Sequence, residues 1–220
     1  MTTPSTIFSQ TRDQVAEQSA AFWTDTEIYR HMSDAENQIA MEIGCSQDTT
    51  SFSTGDGTRE YTLDSDIAYV TRCTWDGVRQ RQITVNDLSR YEGESYGSGP
   101  DTTGSSSYYY LYGNLIGFSP VPDKAATVRM WYNKVPDEIT STSTSFTIPA
   151  HYGFAVMDYT LWQMFVKDQQ LQQEGQFYSS KFYQDIEFIR NDWFTRSWDD
   201  QFPQVTIVDP LWSTGVDYYG

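Results

Sequence analysis

The sequence is short of positive charge. Its 220 residues include 14 Lys and Arg against 30 Asp and Glu, which gives a formal net charge of −16. Surfaces that bind DNA or RNA are basic, so this balance argues against a nucleic-acid-binding surface. It suits a protein that lets nucleic acid slide past, because an acidic wall repels phosphates. General solubility is the simpler explanation of the same charge.

Cysteines and long apolar runs are also scarce. Cys45 and Cys73 are too few for a disulfide framework and lack the spacing of a zinc site. We expect two free thiols in a reducing cytosol, with a single disulfide between them as the alternative. The first residues are not those of a secretory signal, and no run approaches the ~18 apolar residues of a membrane helix. We therefore expect no membrane partner.

Motifs for catalysis are few. Ser95 lies in a Gly-x-Ser-x-Gly pattern, and Ser95, Asp123 and His151 follow one another in the order of a hydrolase triad. That motif needs a strand before the serine and a helix after it. Ser95 instead lies in a Gly/Ser-rich stretch, 92–107, that we interpret as a surface loop. Since phosphate-binding, calcium and zinc motifs are missing too, we expect no catalytic residue, no cofactor and no metal.

Helical periodicity is clear near the N-terminus. Thr24–Glu27 is typical of a capping box, and apolar residues then recur at helical spacing until Gly44. A glycine at that position favours a helix end. The pattern predicts a helix over 25–43. Before it, we expect a flexible arm over 1–10 and a short polar helix over 11–21.

Two more helices are predicted near the other end of the chain. Residues 151–166 are apolar almost all round, which indicates a helix buried between neighbours. Glu174-Gly175 is expected to end it, and a further amphipathic helix follows up to Ser197. Two long helices joined by a short turn form an antiparallel hairpin, with the helix at 25–43 as its third partner.

Between the helical segments the hydrophobic period changes to two, which favours strands. We expect a loop over 44–58 before the first strand. The predicted strands span 60–63, 67–75, 78–85, 108–112, 115–118 and 126–134. Asp76-Gly77 and Gly113-Asn114 are typical of hairpin turns, so the sheet should be mainly antiparallel.

These patterns predict an α+β fold. A helical bundle made from the two chain ends would carry an inserted, mainly antiparallel β-sheet subdomain and an extended C-terminal arm. The expected division is an N-terminal arm with helices over 1–58, a β insertion over 59–148, a helical hairpin over 149–198 and a docking arm over 199–220.

The C-terminal arm is unusual because it is aromatic without any amphipathic period. Aromatic side chains are costly to leave in water, so the segment packs either on its own domain or on a neighbouring subunit. Both alternatives stay open from the sequence. The predicted interface residues are Phe202, Trp212, Tyr218 and Tyr219.

Several segments occur in a fixed order along the chain. They are the helix start Trp23–Ile28, Tyr61–Leu63, the hairpin Trp75–Gly77, the run Tyr112–Asp123, the segment Trp131–Pro136 and Phe182-Tyr183 in the last helix. In this order the chain resembles the head-to-tail adaptor (connector) proteins of tailed bacteriophages. The resemblance covers most of the chain, and the order of the segments carries it more than any single motif does.

The resemblance implies a structural virion protein without enzymatic activity. Such a protein forms a homo-oligomeric ring, commonly of twelve copies, in the neck beneath the portal protein. The ring joins the capsid to a tail nozzle or tail tube protein and lets DNA pass during packaging and ejection without binding it specifically. The protein would be made in the cytoplasm of the bacterial host. The alternative is a carbohydrate-binding module or hydrolase that uses the aromatic-rich β region, since aromatic rings stack on sugars.

Overall fold

The structure of the protein, a computed structural model, describes residues 3–17, 22–88, 103–168 and 172–197. The helices in these ranges are α1 (Pro4–Gln14), α2 (Asp25–Ile43), α3 (Gly153–Lys167) and α4 (Gln172–Ser197). The strands are β1 (Gln47–Ser53), β2 (Glu60–Thr62), β3 (Ile67–Trp75), β4 (Val78–Arg79), β5 (Arg81–Gln82), β6 (Thr103–Gly104), β7 (Tyr108–Tyr112), β8 (Leu115–Ser119), β9 (Val121–Pro122) and β10 (Thr127–Lys134). The predicted α+β class is confirmed.

Helix α2 begins at the predicted capping box. The Thr24 hydroxyl accepts from the Glu27 N–H at 3.2 Å, and the Glu27 carboxylate accepts from the Thr24 N–H at 3.0 Å. Glu27 also pairs with Lys167 of α3 at 2.7 Å. Bonds from the Lys167 ammonium and the Thr24 N–H lower the pKa of Glu27 to about 2. The helix ends at Gly44 in a left-handed conformation with φ 74°, as the sequence predicted.

We expect Thr24→Ala to lower the free energy of unfolding by about 1 kcal/mol, because the Glu27 N–H loses its acceptor. The change is measured by urea unfolding followed by circular dichroism. Thr24→Ser keeps the hydroxyl and should stay close to the parent protein. Equal stability of the alanine and serine variants would show that the cap contributes nothing.

The helices pack around one hydrophobic core. Its fully buried members from α2, α3 and α4 include Ile28, Met32, Ile39, Val156, Met164, Phe182, Ile186 and Ile189. The Trp23 indole N–H donates to the carbonyl of Met164 at 3.3 Å and ties the start of α2 to α3. The predicted partnership of the 25–43 helix with the C-terminal helices is therefore confirmed. None of the described helices is both long and apolar enough to cross a bilayer.

The predictions for the N-terminus were wrong. In place of a flexible arm over 1–10 and a helix over 11–21, one helix runs from Pro4 to Gln14. The Thr3 hydroxyl caps it, accepting from the N–H three residues on at 3.2 Å. Its composition is polar, but Ile7 is buried in the helical core. Phe8 packs on the same core and stacks on Tyr29. These tertiary contacts outweigh the weak periodicity on which the prediction relied. The last four residues of the second range lie outside the described residues.

The break predicted at Glu174-Gly175 was also wrong, because α4 starts at Gln172 and continues through both residues. A Cβ added at Gly175 would lie 3.6 Å from side-chain atoms of Phe165 and Val166 in α3. The glycine therefore marks a close approach of two helices and not a helix end.

The predicted loop over 44–58 contains a strand. Strand β1 pairs with β10 in antiparallel register over its whole length, from Gln47 opposite Asn133 to Ser53 opposite Thr127. Phe52 is its single apolar residue, so the alternation that identifies a strand is missing from the sequence. Backbone pairing at the edge of a sheet does not require an apolar face, so these polar residues form a strand by pairing with β10.

Two four-stranded sheets make up the β region. Sheet A has the order β1-β10-β3-β4 and is antiparallel, whereas sheet B has the order β2-β8-β7-β5 with β5 parallel to β7. Strands β6 and β9 form a short parallel pair. A second hydrophobic core fills the β region, and its members include Cys73, Trp75, Ile116, Phe118, Val128 and Met130.

Both predicted hairpin turns are present. Asp76 and Gly77 join β3 to β4 with positive φ angles of 51° and 78°, and Gly113 with φ 59° opens the turn between β7 and β8. The predicted strand over 78–85 is divided, because the chain crosses from sheet A to sheet B at buried Gln80. Cys45 and Cys73 are free thiols, one in each core, as predicted.

Candidate interaction surfaces

Sheet A carries an exposed basic surface. Strand β10 alternates Val128 and Met130 in the core with Arg129 and Trp131 on the other face, and Arg72 of β3 lies directly opposite Trp131. Because side chains alternate across a strand, the three outward residues share one face of the sheet. The guanidinium carbons of Arg72 and Arg129 lie 4.8 and 4.9 Å from the Trp131 ring.

Arg79 completes this surface, which we call the arginine face (Arg72, Arg79, Arg129 and Trp131). Arg79 pairs with Thr74, which in turn pairs with Arg129 on its other side. A cleft of about 310 Å³ beside it is lined by Arg72, Arg79 and Arg81 among others. Arginine and tryptophan alternate with buried residues along β10, and this alternation is the sequence signal that could have predicted the face.

The arginines of this face have no salt bridge to any carboxylate in the described ranges, although all three are exposed. Other cationic side chains are paired, among them Arg12, Lys124, Lys134, Lys167, Lys181, Arg190 and Arg196. In a protein of net charge −16, three clustered and unpaired guanidinium groups form a surface suited to a negatively charged partner.

The opposite end of sheet A is acidic. Asp48 of β1 is exposed, as is Asp64, which lies three residues before β3 begins. Asp66, directly before β3, is half-buried. We call these three residues the acidic end. Their charges act together on a shared neighbour: after burial, the nearby carboxylates of Asp66, Asp48 and Asp64 raise the pKa of Tyr132. One sheet therefore has a basic face and an acidic end.

Helix α4 exposes large aromatic side chains. Phe177, Tyr183 and Phe188 are 62%, 51% and 60% exposed, while the opposite side of the helix packs into the core. The outward face of a surface helix is normally polar. Aromatic side chains are enriched where one protein contacts another, so α4 is a second candidate interaction surface.

A buried carboxylate ties the connection after β10 to α2. Glu36 is fully buried, and its Oε1 accepts from the backbone N–H groups of Thr147 and, at 3.0 Å, Ile148. Burial raises the pKa of Glu36 to about 7, against the opposing effect of these two bonds. Residues 145–148 form no strand, and the bonds to Glu36 fix the last two of them.

A second buried carboxylate lies between α3 and α4. Asp158 is fully buried and bonds the Lys181 ammonium at 2.9 Å. Burial and the neighbouring Asp158 carboxylate raise the pKa of Asp185 to about 7. The group is a structural ion pair in a helix interface, and the described residues contain no cluster of His, Cys, Asp or Glu fit for a metal ion.

The two described residues that were considered for a triad, Asp123 and His151, form no ion pair with each other. Ser95 lies outside the described residues, Asp123 is exposed, and His151 Nε2 lies 3.7 Å from Asp192 Oδ2. The four predicted interface residues, Phe202, Trp212, Tyr218 and Tyr219, also lie outside the described residues.

The fold and these surfaces define a class: a mixed α+β protein with two separate hydrophobic cores and exposed aromatic and charged faces fit for other protein chains. The chain matches the model of the SU10 adaptor protein family over residues 2–202 and belongs to that family. No curated protein matches it. The resemblance to phage head-to-tail adaptors is thereby confirmed, and the protein is a structural component of the virion.

Proposed function

We propose that the protein forms a homo-oligomeric ring of twelve copies in the neck of the virion, beneath the portal protein. The ring would link the capsid to a tail nozzle or tail tube protein and let DNA pass. The match to the adaptor family over residues 2–202 is the observation that carries this proposal. The net charge of −16 supports it, since an acidic channel does not retain DNA.

The surfaces of the protein support a closed ring. A ring is built from heterologous contacts, in which each copy uses two different faces. The arginine face, the acidic end and the exposed aromatics of α4 are distinct surfaces on one chain. No feature of the described residues favours the carbohydrate-binding or hydrolase alternative.

Native mass spectrometry of the purified protein, alone and mixed with its portal ring, tests this function. We expect one discrete complex that contains the portal ring and twelve copies of this chain. A protein that stays monomeric and does not bind the portal would contradict the proposal.

We also propose that residues 199–220 dock the protein onto a neighbouring subunit or the portal, with Trp212 and Tyr218 as anchors. The family match ends at residue 202, so most of this segment lies beyond the matched range. We expect deletion of 203–220 to abolish assembly on the portal while the thermal unfolding midpoint stays within a few degrees. The double variant Trp212→Ala/Tyr218→Ala is the matched control of unchanged length. If the shortened protein still assembles, the segment is not the docking arm.

A further inference from the structure

The arginine face has no bound counter-charge among the residues that the structure describes. Arg72, Arg79 and Arg129 are exposed, and no carboxylate in the described ranges forms a salt bridge with them. The carboxylate closest in sequence, Asp76, is occupied by Lys124. Trp131 holds two of the guanidinium groups in place but carries no negative charge.

The acidic end does not neutralise these arginines within one copy. Asp66 lies six positions before Arg72, roughly 20 Å away at the rise of a strand. Asp48 is closer, because it pairs with Tyr132 beside Trp131, but side chains alternate along β10 and Asp48 therefore belongs to the other face of the sheet. Charges exposed to water are largely screened beyond about 8 Å at physiological ionic strength. Within one copy no salt bridge links these arginines to Asp48, Asp64 or Asp66, although Lys134 lies near Asp48 and Asp66. The guanidinium groups are therefore available to another molecule.

The two surfaces complement each other in charge and chemistry. The arginine face presents three guanidinium groups, and the acidic end presents Asp48, Asp64 and Asp66. Guanidinium groups bind carboxylates through paired, parallel hydrogen bonds. Because the two surfaces differ, their contact joins copies head to tail, and such a contact builds a ring when the rotation between copies closes.

We propose that the arginine face of one copy binds the acidic end of the next copy in the ring. This inference rests on the proposed ring and names the surfaces that hold it together. A second copy is a better partner than nucleic acid, because each copy offers a matching acidic end while the net charge of −16 repels phosphates as they approach.

Charge reversal tests the contact in both directions. In Arg72→Glu/Arg129→Glu the basic face becomes acidic, and in Asp64→Arg/Asp66→Arg the acidic end becomes basic. We expect each variant alone to assemble at least about tenfold more weakly, because like charges then face each other. An equimolar mixture of the two should assemble, since reversed faces then meet in alternation. The fourfold variant should also assemble, since all of its contacts are reversed together.

The measurement is sedimentation velocity on protein alone and on protein mixed with portal, at 50 and 500 mM NaCl. Arg30→Glu is the matched control, because it changes one exposed arginine on α2, away from sheet A. Assembly of the parent protein should weaken at the higher salt concentration, and circular dichroism checks that every variant is folded.

The possible failures are distinct. If the parent protein forms no ring under any condition, the proposed function fails. If it forms rings and both reversal variants do so equally well, only the proposed contact fails. If Arg72→Glu/Arg129→Glu still forms rings but no longer binds a labelled DNA oligonucleotide that the parent binds, the arginine face serves nucleic acid and the proposed contact is overturned.

Discussion

Replacement of Lys181 by methionine is expected to lower the free energy of unfolding by about 3 kcal/mol at pH 8. The Asp158 carboxylate is fully buried, and the Lys181 ammonium binds it at 2.9 Å. Removing one member of such a pair leaves a charge in a medium that solvates it poorly. The value stands at the low end of the usual range because the lysine side chain is 44% exposed.

The loss should depend on pH because burial and the Asp158 carboxylate raise the pKa of Asp185 to about 7. At pH 8 Asp185 is ionised and repels the carboxylate that the lysine no longer neutralises, whereas at pH 5 Asp185 is protonated and donates to it. We expect a smaller effect of Lys181→Met at pH 5 than at pH 8, as measured by urea unfolding. The double variant Asp158→Asn/Lys181→Met removes both charges and should recover most of the stability at pH 8. If it does not, the lysine contributes by the packing of its aliphatic chain and not by its charge.

A second large effect is expected from Glu36, through the pH dependence of stability. The pKa of Glu36 rises from its usual 4.5 to about 7 in the folded protein. The folded state therefore binds the proton of Glu36 more tightly than the unfolded state does. The stabilisation that results is fully present below about pH 4.5. It is lost as the pH rises through about 7, and a shift of this size corresponds to about 3 kcal/mol.

Glu36→Gln removes the titration and keeps an oxygen that accepts from the two backbone N–H groups. We expect the stability of this variant, relative to the parent protein, to increase by about 3 kcal/mol between pH 4.5 and pH 8.5. Glu138→Gln, at an exposed position of the same connection, is the control and should show no such trend. If the difference in unfolding free energy between the parent protein and Glu36→Gln is constant over this pH range, the raised pKa of Glu36 is contradicted.

The two buried carboxylates each join two parts of the helical region. Glu36 binds the connection that returns from the β region, and the Asp158–Lys181 pair joins α3 to α4. Neither carboxylate belongs to a metal-type cluster in the described ranges, and the partners of both are structural. The functional surfaces lie on the outside instead, on sheet A and on α4, which is where a protein that binds copies of itself needs them.

Short sequence motifs predicted the structure correctly where all the residues that determine a feature lie within a few positions of one another. The capping box at Thr24 and the left-handed glycine at Gly44 fixed both ends of α2. The turns at Asp76-Gly77 and Gly113-Asn114 fixed two hairpins, because only particular backbone angles satisfy so short a connection. The ordered series of motifs was also sufficient to indicate the adaptor family.

The remaining errors share a cause, which is dependence on residues far away in the chain. β1 is a strand because β10 offers it a pairing edge, and α1 is a helix because Ile7 reaches the helical core. Gly175 sits inside a helix because another helix approaches it closely. Each of these partners lies far along the sequence, so no local pattern reports it.

The sequence by itself determined the α+β class, the best-defined helix, the hairpin turns, the acidic charge and the adaptor family. Only the tertiary structure decided that three arginines separated along the chain meet on one face of sheet A, and that the opposite end of that sheet is acidic. The physical reason is strand register: it places residues from different strands side by side, and it is set by backbone pairing over the whole sheet and not by the neighbours of any one residue.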